Sequence, residues 1–334
     1  MTPVAHLAFM RAEGFGEPML LLTEQDVERL LTMDDALREV EAALRDLGLG
    51  KAENRPRQRV RGAHGMLNLM PASWPGRGYY GFKEYTVSRD GARFWFHLFD
   101  GNTGEPLAIL QADRLGQRRT GAASGVATKY LARTDASSVG ILGTGWQAES
   151  QLEAVSRVRP IVQARCFSRD ASKRHAFAER MAKTLGLDVR AAASPEETVR
   201  GADIVVTATP SSKPVVRGEW LAPGVHINAM GANRLGSREL DAGAIQRCTF
   251  IAADSVEQAR LEAGDLAAPV AGKLLKWDDV HEIGSVVAGK VKGRQRAKDV
   301  TLFKSLGLAI EDVAVGALVY ERARNEGMGT QVSL

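Results

Sequence analysis

The sequence predicts an α/β protein in which a doubly wound parallel sheet is joined to a second, α+β domain. From residue 136 onward, short apolar runs alternate with amphipathic helical patterns, which is typical of a parallel sheet with helices on both faces. Between residues 51 and 110, short apolar or alternating runs are separated by Gly and Pro, which indicates a mostly antiparallel sheet. With 44% hydrophobic and 25% charged residues the composition is globular, so collagen-like and disordered chains are excluded.

Length and charge narrow the class of protein further. A chain of 334 residues predicts two domains, and a net charge of +4 does not require a nucleic-acid partner. Two cysteines cannot form a disulfide framework, so we expect a reducing, cytoplasmic compartment. No apolar stretch approaches the ~18 residues of a membrane span, and residues 1–17, which lack the pattern of a secretory signal, are predicted to be a loose extension.

The first domain is predicted to combine the mostly antiparallel sheet with a few helices. We expect a first strand at 19–22 and a helix over 33–48, capped by Thr32 and stopped by Gly48 and Gly50. Further strands are predicted at 66–70, 79–83, 94–99 and 107–110. A helix rich in small residues follows at 113–132.

The second domain is predicted to consist of alternating strands and helices joined by turns. Strands are predicted at 139–142, 161–167, 204–208, 225–230 and 249–252, with helices between them such as 148–158 and 172–185. A last helix over 306–323 has no strand beside it, so we place it back on the first domain. The predicted division is therefore 18–131 with 306–334 for the first domain, and 132–305 for the second.

A glycine motif opens the second domain. Gly143, Gly145 and Ala148 follow the first strand of this domain and begin a helix, which is the dinucleotide-binding fingerprint with alanine at its third position. The first glycine allows a tight turn, the second lets the backbone approach a pyrophosphate, and the helix N-terminus offers free N–H groups. The alternative is an ordinary tight turn between strand and helix. The strand, the helix and the repeating βαβ pattern favour dinucleotide binding.

The residues after the next strand bear on which cofactor binds. NAD-binding proteins place an acid there for the ribose 2′-hydroxyl, but this chain has Ser168. Arg169 and Lys173 follow and could hold a 2′-phosphate by charge-assisted hydrogen bonds. Asp170 is the nearest acid and keeps NAD(H) as the alternative, and a merely solvated charge cluster is another. We predict NADP(H) as the favoured cofactor.

Other patterns give weaker signals. Residues 284–290 match a phosphate-binding loop, but Val291 stands where the magnesium-binding hydroxyl is needed, so we discard this match. The six histidines and two cysteines lack metal-ligand spacing, so no metal is predicted. Lys83 lies in an aromatic strand and is either a partly desolvated pocket lysine or an exposed strand residue. Four alternating arginines form either an anion-binding wall or a solvated strand edge, the latter being the simpler interpretation: Arg55, Arg57, Arg59 and Arg61.

Several segments together resemble the ornithine cyclodeaminase/mu-crystallin family over residues 18–327. The resemblance rests on the glycine loop in its Gly-Thr-Gly-Trp-Gln-Ala form and on further segments in the family's order: 119–124, 206–211, 227–233, 262–265 and 301–307. It implies a Rossmann domain, a second domain for substrate binding and dimerisation, a homodimer, and an amino or imino acid as substrate.

The resemblance also implies roles for individual residues. Arg57 and Lys83 would bind the substrate carboxylate, and Glu262 would reach the substrate. Lys83 and Asn233 would stand at the reacting centre. The cofactor would contact the fingerprint residues and the residues after the next strand that are named above. It would also contact nine further positions: Arg119, Thr120, Thr144, Gln147, Thr207, Ala208, Thr209, Met230 and Ser305.

One departure from the family pattern bears on the reaction. Cyclodeaminases of this family carry an aspartate where this chain has Asn233, and an amide cannot act as a general base. We therefore expect a reductase of a 2-imino acid or cyclic ketimine that uses NAD(P)H and is reversible to an amino acid dehydrogenase. The alternatives are an ornithine cyclodeaminase with recycled NAD and a crystallin-like protein that binds NADPH without turnover. No nucleic-acid or membrane partner is expected.

Overall fold

The structure is a computed structural model that describes residues 18–333, so the extension predicted for residues 1–17 lies outside the described residues. Its strands are, in chain order, β1 (Met19–Leu22), β2 (Glu53–Asn54), β3 (Gln58–Arg61), β4 (Gly65–Trp74), β5 (Tyr79–Ser88), β6 (Gly91–Asp100), β7 (Pro106–Gln111), β8 (Ser138–Leu142), β9 (Gln163–Phe167), β10 (Asp188–Ala191), β11 (Ile204–Thr207), β12 (His226–Ala229), β13 (Phe250–Ala253), β14 (Val280–Glu282), β15 (Thr301–Lys304) and β16 (Thr330–Val332). Its α-helices are α1 (Glu24–Leu30), α2 (Met33–Leu49), α3 (Asp113–Leu131), α4 (Trp146–Val158), α5 (Ala171–Leu185), α6 (Pro195–Val199), α7 (Ala242–Arg247), α8 (Val256–Glu262), α9 (Gly264–Ala271), α10 (Ile283–Val287) and α11 (Ala309–Glu326).

A mixed sheet is built from both ends of the chain. Its strand order is β16-β1-β7-β6-β5-β4-β2, with β3 paired to the outer part of β4. All pairs are antiparallel except β1 and β7, which run parallel. The long strands alternate, so that Gly81 and Lys83 of β5 are buried on one face while Phe82 is half-buried on the other.

Helices α3 and α11 cover the buried face of the mixed sheet, and α2 packs against both of them. Helix α2 begins at a capping box in which the Thr32 hydroxyl accepts from the Asp35 amide and the Asp35 carboxylate accepts from Thr32. Helix α11 is buried over most of its length and packs against β4 and β5, which confirms that the last helix returns to this sheet. Their apolar side chains form one continuous core with the sheet.

The parallel sheet has the Rossmann-type doubly wound topology that the sequence predicts. Its order is β10-β9-β8-β11-β12-β15-β13-β14, with every pair parallel. The first five strands repeat the spatial order 3-2-1-4-5 of a dinucleotide-binding sheet. Because the chain reverses its direction of winding at β8 and β11, a crevice opens beyond the carboxyl ends of these two strands.

Some predicted elements are wrong in detail. Gly48 does not stop helix α2, which continues to Leu49 and is capped by Gly50 at a φ of 74°. Gly48 is needed for a close crossing instead, because a Cβ there would lie 2.0 Å from the carbonyl oxygen of Gly284 in α10. The discarded phosphate-loop match is thus a helix-packing segment. The last helix begins at Ala309 rather than at residue 306.

Several short elements were not predicted from the sequence: α1, β10, β14, β15 and β16. They are three to seven residues long and carry polar residues, so they lack a clear period. The division into domains at 131/132 and 305/306 stays a proposal, which the separate strand sets of the two sheets support. Within residues 18–333 no helix is both long and apolar enough to cross a membrane.

Candidate active site

A cavity of about 320 Å³ lies between the carboxyl ends of the parallel strands and the buried face of the mixed sheet. The loops after β8, β11, β12 and β15 form one wall, and β4, β5, β6 and α3 form the other. Ten of the residues singled out in the sequence line it: Arg57, Lys83, Arg119, Thr120, Gln147, Ala208, Thr209, Met230, Asn233 and Ser305. The two sheets therefore bring together residues that are far apart in the chain.

The glycine loop at the end of β8 has the shape that a dinucleotide needs. Gly143 has a φ of 105°, and a Cβ there would lie 2.2 Å from the carbonyl oxygen of Ala208. At Gly145 an added Cβ would meet no atom within 4 Å, so the backbone is open on that side. Helix α4 starts directly afterwards, with its first amides free of helical partners, and Ala148 packs inside. The loop thus fits a pyrophosphate.

Gln147 and Thr144 extend this fit on either side of the loop. Gln147 lines the cavity, and its buried side-chain carbonyl has no hydrogen-bond partner among the described residues. Its place in the first turn of α4 puts this side chain beside the glycine loop. On the other side the Thr144 hydroxyl donates to the Ser168 hydroxyl at 2.9 Å, joining the loop to the end of β9.

The segment that follows strand β9 is rich in cations. Strand β9 ends at Phe167, so Ser168 stands directly after it, where the sequence analysis placed it. The Asp170 carboxylate accepts from the Lys173 amide and caps helix α5. Arg169 and Lys173 are exposed beside Ser168, and the Lys173 ammonium lies 4.0 Å from the Asp170 carboxylate.

A buried network of four charges lies behind the cavity. The Lys83 ammonium is 3.2 Å from the Asp312 carboxylate, which also accepts from the Arg119 guanidinium at 3.1 Å. Arg119 pairs in addition with Glu311 at 2.8 Å. Burial and the neighbouring Arg119 lower the pKa of Lys83 to about 8, although Asp312 opposes this shift. Burial raises the pKa of Glu311 to about 7, against the effect of Arg119.

Two arginines converge on Glu262. Arg57 is buried and donates to Glu262 at 2.7 Å and to the Leu306 carbonyl at 2.7 Å. Arg59 pairs with the other oxygen of Glu262 at 2.8 Å. The solvated-edge interpretation of the arginine run is therefore wrong for Arg57 and holds for Arg55, which is exposed. Glu262 is not among the residues that line the cavity, because both its oxygens are held by arginines.

The loops that line the cavity are held by carboxylates that the sequence analysis missed. Glu239 accepts from the amides of Thr209, Gly231 and Ala232 and from the hydroxyls of Thr207 and Thr209. Thr207 itself is buried in this network and is not among the residues that line the cavity.

Two more acids complete this support. Asp265 accepts from the Glu239 amide and pairs with the fully buried Lys304 at 3.0 Å. Asp254 accepts from the amides of Leu306 and Gly307 and thus fixes the loop after β15. Asp265 lies in a segment that carried the family resemblance, whereas Glu239 and Asp254 lie in no recognisable motif. Their partners are backbone amides, which no pattern of side chains reveals.

The cavity also has a wall that was not predicted. Met70, Tyr85 and Phe94 come from neighbouring strands of the mixed sheet and cover the side opposite the parallel strands. Only the register of these strands, in which Met70 lies opposite Lys83 and Tyr85 opposite Phe94, places them together. Within residues 18–333 no group of three His, Cys, Asp or Glu side chains is placed to hold a metal ion.

Fold and site together define a Rossmann-type protein with a dinucleotide loop and a buried, charged cavity facing it. Comparison with known proteins agrees with this class. The chain belongs to the ornithine cyclodeaminase/mu-crystallin family, whose model matches residues 17–327.

Three relatives illustrate the similarity. An alanine dehydrogenase of Archaeoglobus fulgidus is 38% identical, over 94% of this chain and 98% of its own. The structure of Thermococcus litoralis Δ1-pyrroline-2-carboxylate reductase in complex with NADH and L-proline has a TM-score of 0.91 and 36% identity, covering 94% of this chain and 100% of that one. The structure of an archaeal alanine dehydrogenase dimer with bound NAD has a TM-score of 0.89 and 37% identity, covering 95% and 99%.

Proposed function

We propose that the chain is an NAD(P)H-dependent oxidoreductase that reduces the C=N bond of a 2-imino acid or cyclic ketimine, reversibly an amino acid dehydrogenase. The observation that carries this proposal is that Lys83, whose pKa is lowered, lines the same cavity as Gln147, which directly follows the glycine loop. The relatives described as alanine dehydrogenase and pyrroline-2-carboxylate reductase support it, since both names denote chemistry at a carbon–nitrogen bond.

The residues of the cavity supply orientation, charge and a proton. The nicotinamide, when bound, supplies the hydride that the imine carbon accepts. Arg57 and Lys83 face the cavity as cations and orient the substrate carboxylate, which fixes the imine carbon beside it. Since the imine nitrogen is only two bonds from that carboxylate, the Lys83 ammonium also lies within reach to donate the proton that the product amine needs. Glu262 positions Arg57 rather than the substrate.

Asn233 lines the same cavity and sets this reaction apart from ammonia release. An amide side chain donates and accepts hydrogen bonds but takes up no proton in the physiological range, so it cannot activate a substrate amine or a water. Reduction needs no such base, because the hydride acceptor is already an electrophile. Asn233 can therefore hold the substrate by hydrogen bonds alone.

The strand end at Ser168 supports NADP(H) as the favoured cofactor, with NAD(H) as the alternative. We expect Arg169→Ala to raise KM for NADPH about tenfold, because one charge-assisted hydrogen bond to the 2′-phosphate is lost. KM for NADH should stay within about twofold, and the control change Lys183→Ala, in the last turn of helix α5 and thus far from Arg169, should alter neither. Steady-state kinetics with both cofactors checks this, and an equal loss with NADH would argue against a phosphate contact.

A homodimer is supported by the outer face of the mixed sheet. There Tyr80 stacks on Phe99 at 5.6 Å and Phe82 on His97 at 4.4 Å, forming a half-buried aromatic surface on the side away from α11. The alanine dehydrogenase described as a dimer supports the same assembly. Light scattering should give twice the chain mass of 36.1 kDa. The free thiols of Cys166 and Cys248 support a reducing, cytoplasmic location.

The proposal is tested by following oxidation of NADPH and NADH with a panel of substrates. The panel contains pyrroline-2-carboxylate, piperideine-2-carboxylate, and pyruvate with ammonia or methylamine. Ornithine alone, with an ammonia assay, tests the lyase. Oxidation with at least one imine supports the proposal. Ammonia from ornithine without net cofactor change would support the lyase, and cofactor binding without any turnover would support a binding protein.

A further inference from the structure

A second chamber adjoins the proposed active site. It has a volume of about 430 Å³ and lies between strand β3, the start of β4 and the loop after β12. Tyr85 and Asn233 line both this chamber and the first cavity, so these two residues stand at the passage between them. Nothing in the chemistry at the imine carbon uses the second chamber.

The second chamber is strongly cationic. Arg59, Arg61 and Arg234 line it, and among the described residues that do so none is acidic. Arg59 shares Glu262 with Arg57, so one carboxylate serves two guanidinium groups. Arg61 and Arg234 have no ion-pair partner within residues 18–333. An unbalanced positive charge is therefore concentrated here, whereas the inner network of Lys83 and Arg119 faces two carboxylates of its own.

The positions of the arginines follow from the fold. Arg59 and Arg61 alternate along β3 and so project to the same side of that strand. Arg59 also donates to the Asn233 carbonyl at 3.2 Å, which ties the strand to the loop that carries Arg234. Arginines from strand β3 and from the loop after β12 therefore lie on either side of the second chamber. The half-buried Tyr85 and Met66 add an apolar part to its lining.

We infer that this second chamber receives the side chain of the substrate, and that the enzyme prefers imino acids whose side chain ends in an anionic group such as a carboxylate. This inference rests on the proposed function, because it assumes that the α-carboxylate lies at Arg57 and Lys83. A side chain extending from the imine carbon past Tyr85 and Asn233 then has its far end at Arg61 and Arg234. Guanidinium groups are suited to bind a carboxylate in a bidentate manner.

The test compares two oxo acids of equal chain length, each supplied with ammonia. 2-Oxoglutarate ends in a carboxylate and 2-oxopentanoate in a methyl group. We expect kcat/KM to be at least about tenfold higher for 2-oxoglutarate, mostly through KM, with an advantage that shrinks as salt is added. Equal values would overturn the inference, while reduction of 2-oxopentanoate or pyrroline-2-carboxylate would leave the proposed function standing.

Variants separate the second chamber from the rest of the site. The double change Arg61→Gln with Arg234→Gln should remove the advantage of 2-oxoglutarate and leave 2-oxopentanoate within about twofold. The matched control Arg247→Gln lies on α7, beside the amino end of β13 and thus away from the site, and should change neither. A double variant in which kcat/KM falls equally for both substrates, or for neither, would contradict the inference.

A binding measurement keeps the inference testable without turnover. Calorimetry on the NADPH-saturated protein should show L-glutamate binding about tenfold more tightly than L-norvaline, with the difference lost in the double variant. If no imine is reduced but this difference is found, the proposed function fails and the second chamber remains an anion site. If L-norvaline binds as tightly as L-glutamate, the second chamber does not recognise an anion.

Discussion

Replacing Lys83 by methionine is expected to lower kcat for imine reduction by a factor of about 10² to 10⁴, the range for loss of a general acid. Methionine keeps most of the buried volume of the lysine but has neither charge nor proton. Arg119 still pairs with Asp312 in this variant, so we expect the protein to fold. Stopped-flow or steady-state measurement of NAD(P)H oxidation gives the result. Retention of kcat within about threefold, as expected for the exposed control Lys276→Met, would exclude Lys83 as the proton donor.

The same lysine predicts opposite pH dependences for the two directions of the reaction. Because burial lowers the pKa of Lys83 to about 8, the ammonium that donates a proton during reduction is lost as the pH rises through about 8. Reduction should therefore decline above that pH. Amino acid oxidation needs the neutral amine as proton acceptor and should rise over the same interval. Profiles of kcat measured in both directions check this, and profiles of the same sign would contradict it.

Replacing Asp312 by asparagine is expected to lower the free energy of unfolding by about 3–5 kcal/mol, the cost of breaking a buried ion pair. Asp312 is completely buried and pairs with both Lys83 and Arg119, so its loss leaves Lys83 without its carboxylate partner and Arg119 with Glu311 alone. Urea unfolding measures the change. The exposed control Asp278→Asn should stay within about 0.5 kcal/mol of the native protein.

The Asp312 variant has a second readout that a purely structural role would not affect. Asp312 raises the pKa of Lys83, opposing burial and Arg119. Without its charge the pKa of Lys83 should fall further, so the pH above which reduction declines should move down. An unchanged pH profile in a folded variant would show that Lys83 does not titrate in the reaction.

Local patterns predicted much of the fold and part of the site. The glycine loop can be predicted from the sequence because its residues are contiguous and each meets a requirement of the backbone. Gly143, for example, has a φ of 105°. Lys83 was a candidate from its aromatic strand, and its position in the cavity follows from alternation along β5. Gly48 was misread because a helix stop and a close helix crossing both favour glycine, and only the position of α10 distinguishes them.

The remaining parts of the site depend on contacts between distant segments. Asp312 and Lys83 are 229 positions apart, and no local period connects them. Glu239 accepts hydrogen bonds from backbone amides of two different loops. Because almost every residue has a backbone amide, the sequence does not show which residues these partners are. The arginine run was read as an edge because its partner, Glu262, comes from the other sheet's helices.

Hydride transfer to an imine carbon is the central claim, and isotope labelling tests it most directly. The protein would be supplied with pyrroline-2-carboxylate and reduced cofactor carrying deuterium at C4 of the nicotinamide, prepared in each stereochemical form. We predict proline with one deuterium at C2, from one form only, detected by mass spectrometry. Proline without deuterium at C2 from both labelled forms, or, with ornithine supplied instead, unlabelled proline formed with release of ammonia and no net consumption of cofactor, would contradict this claim.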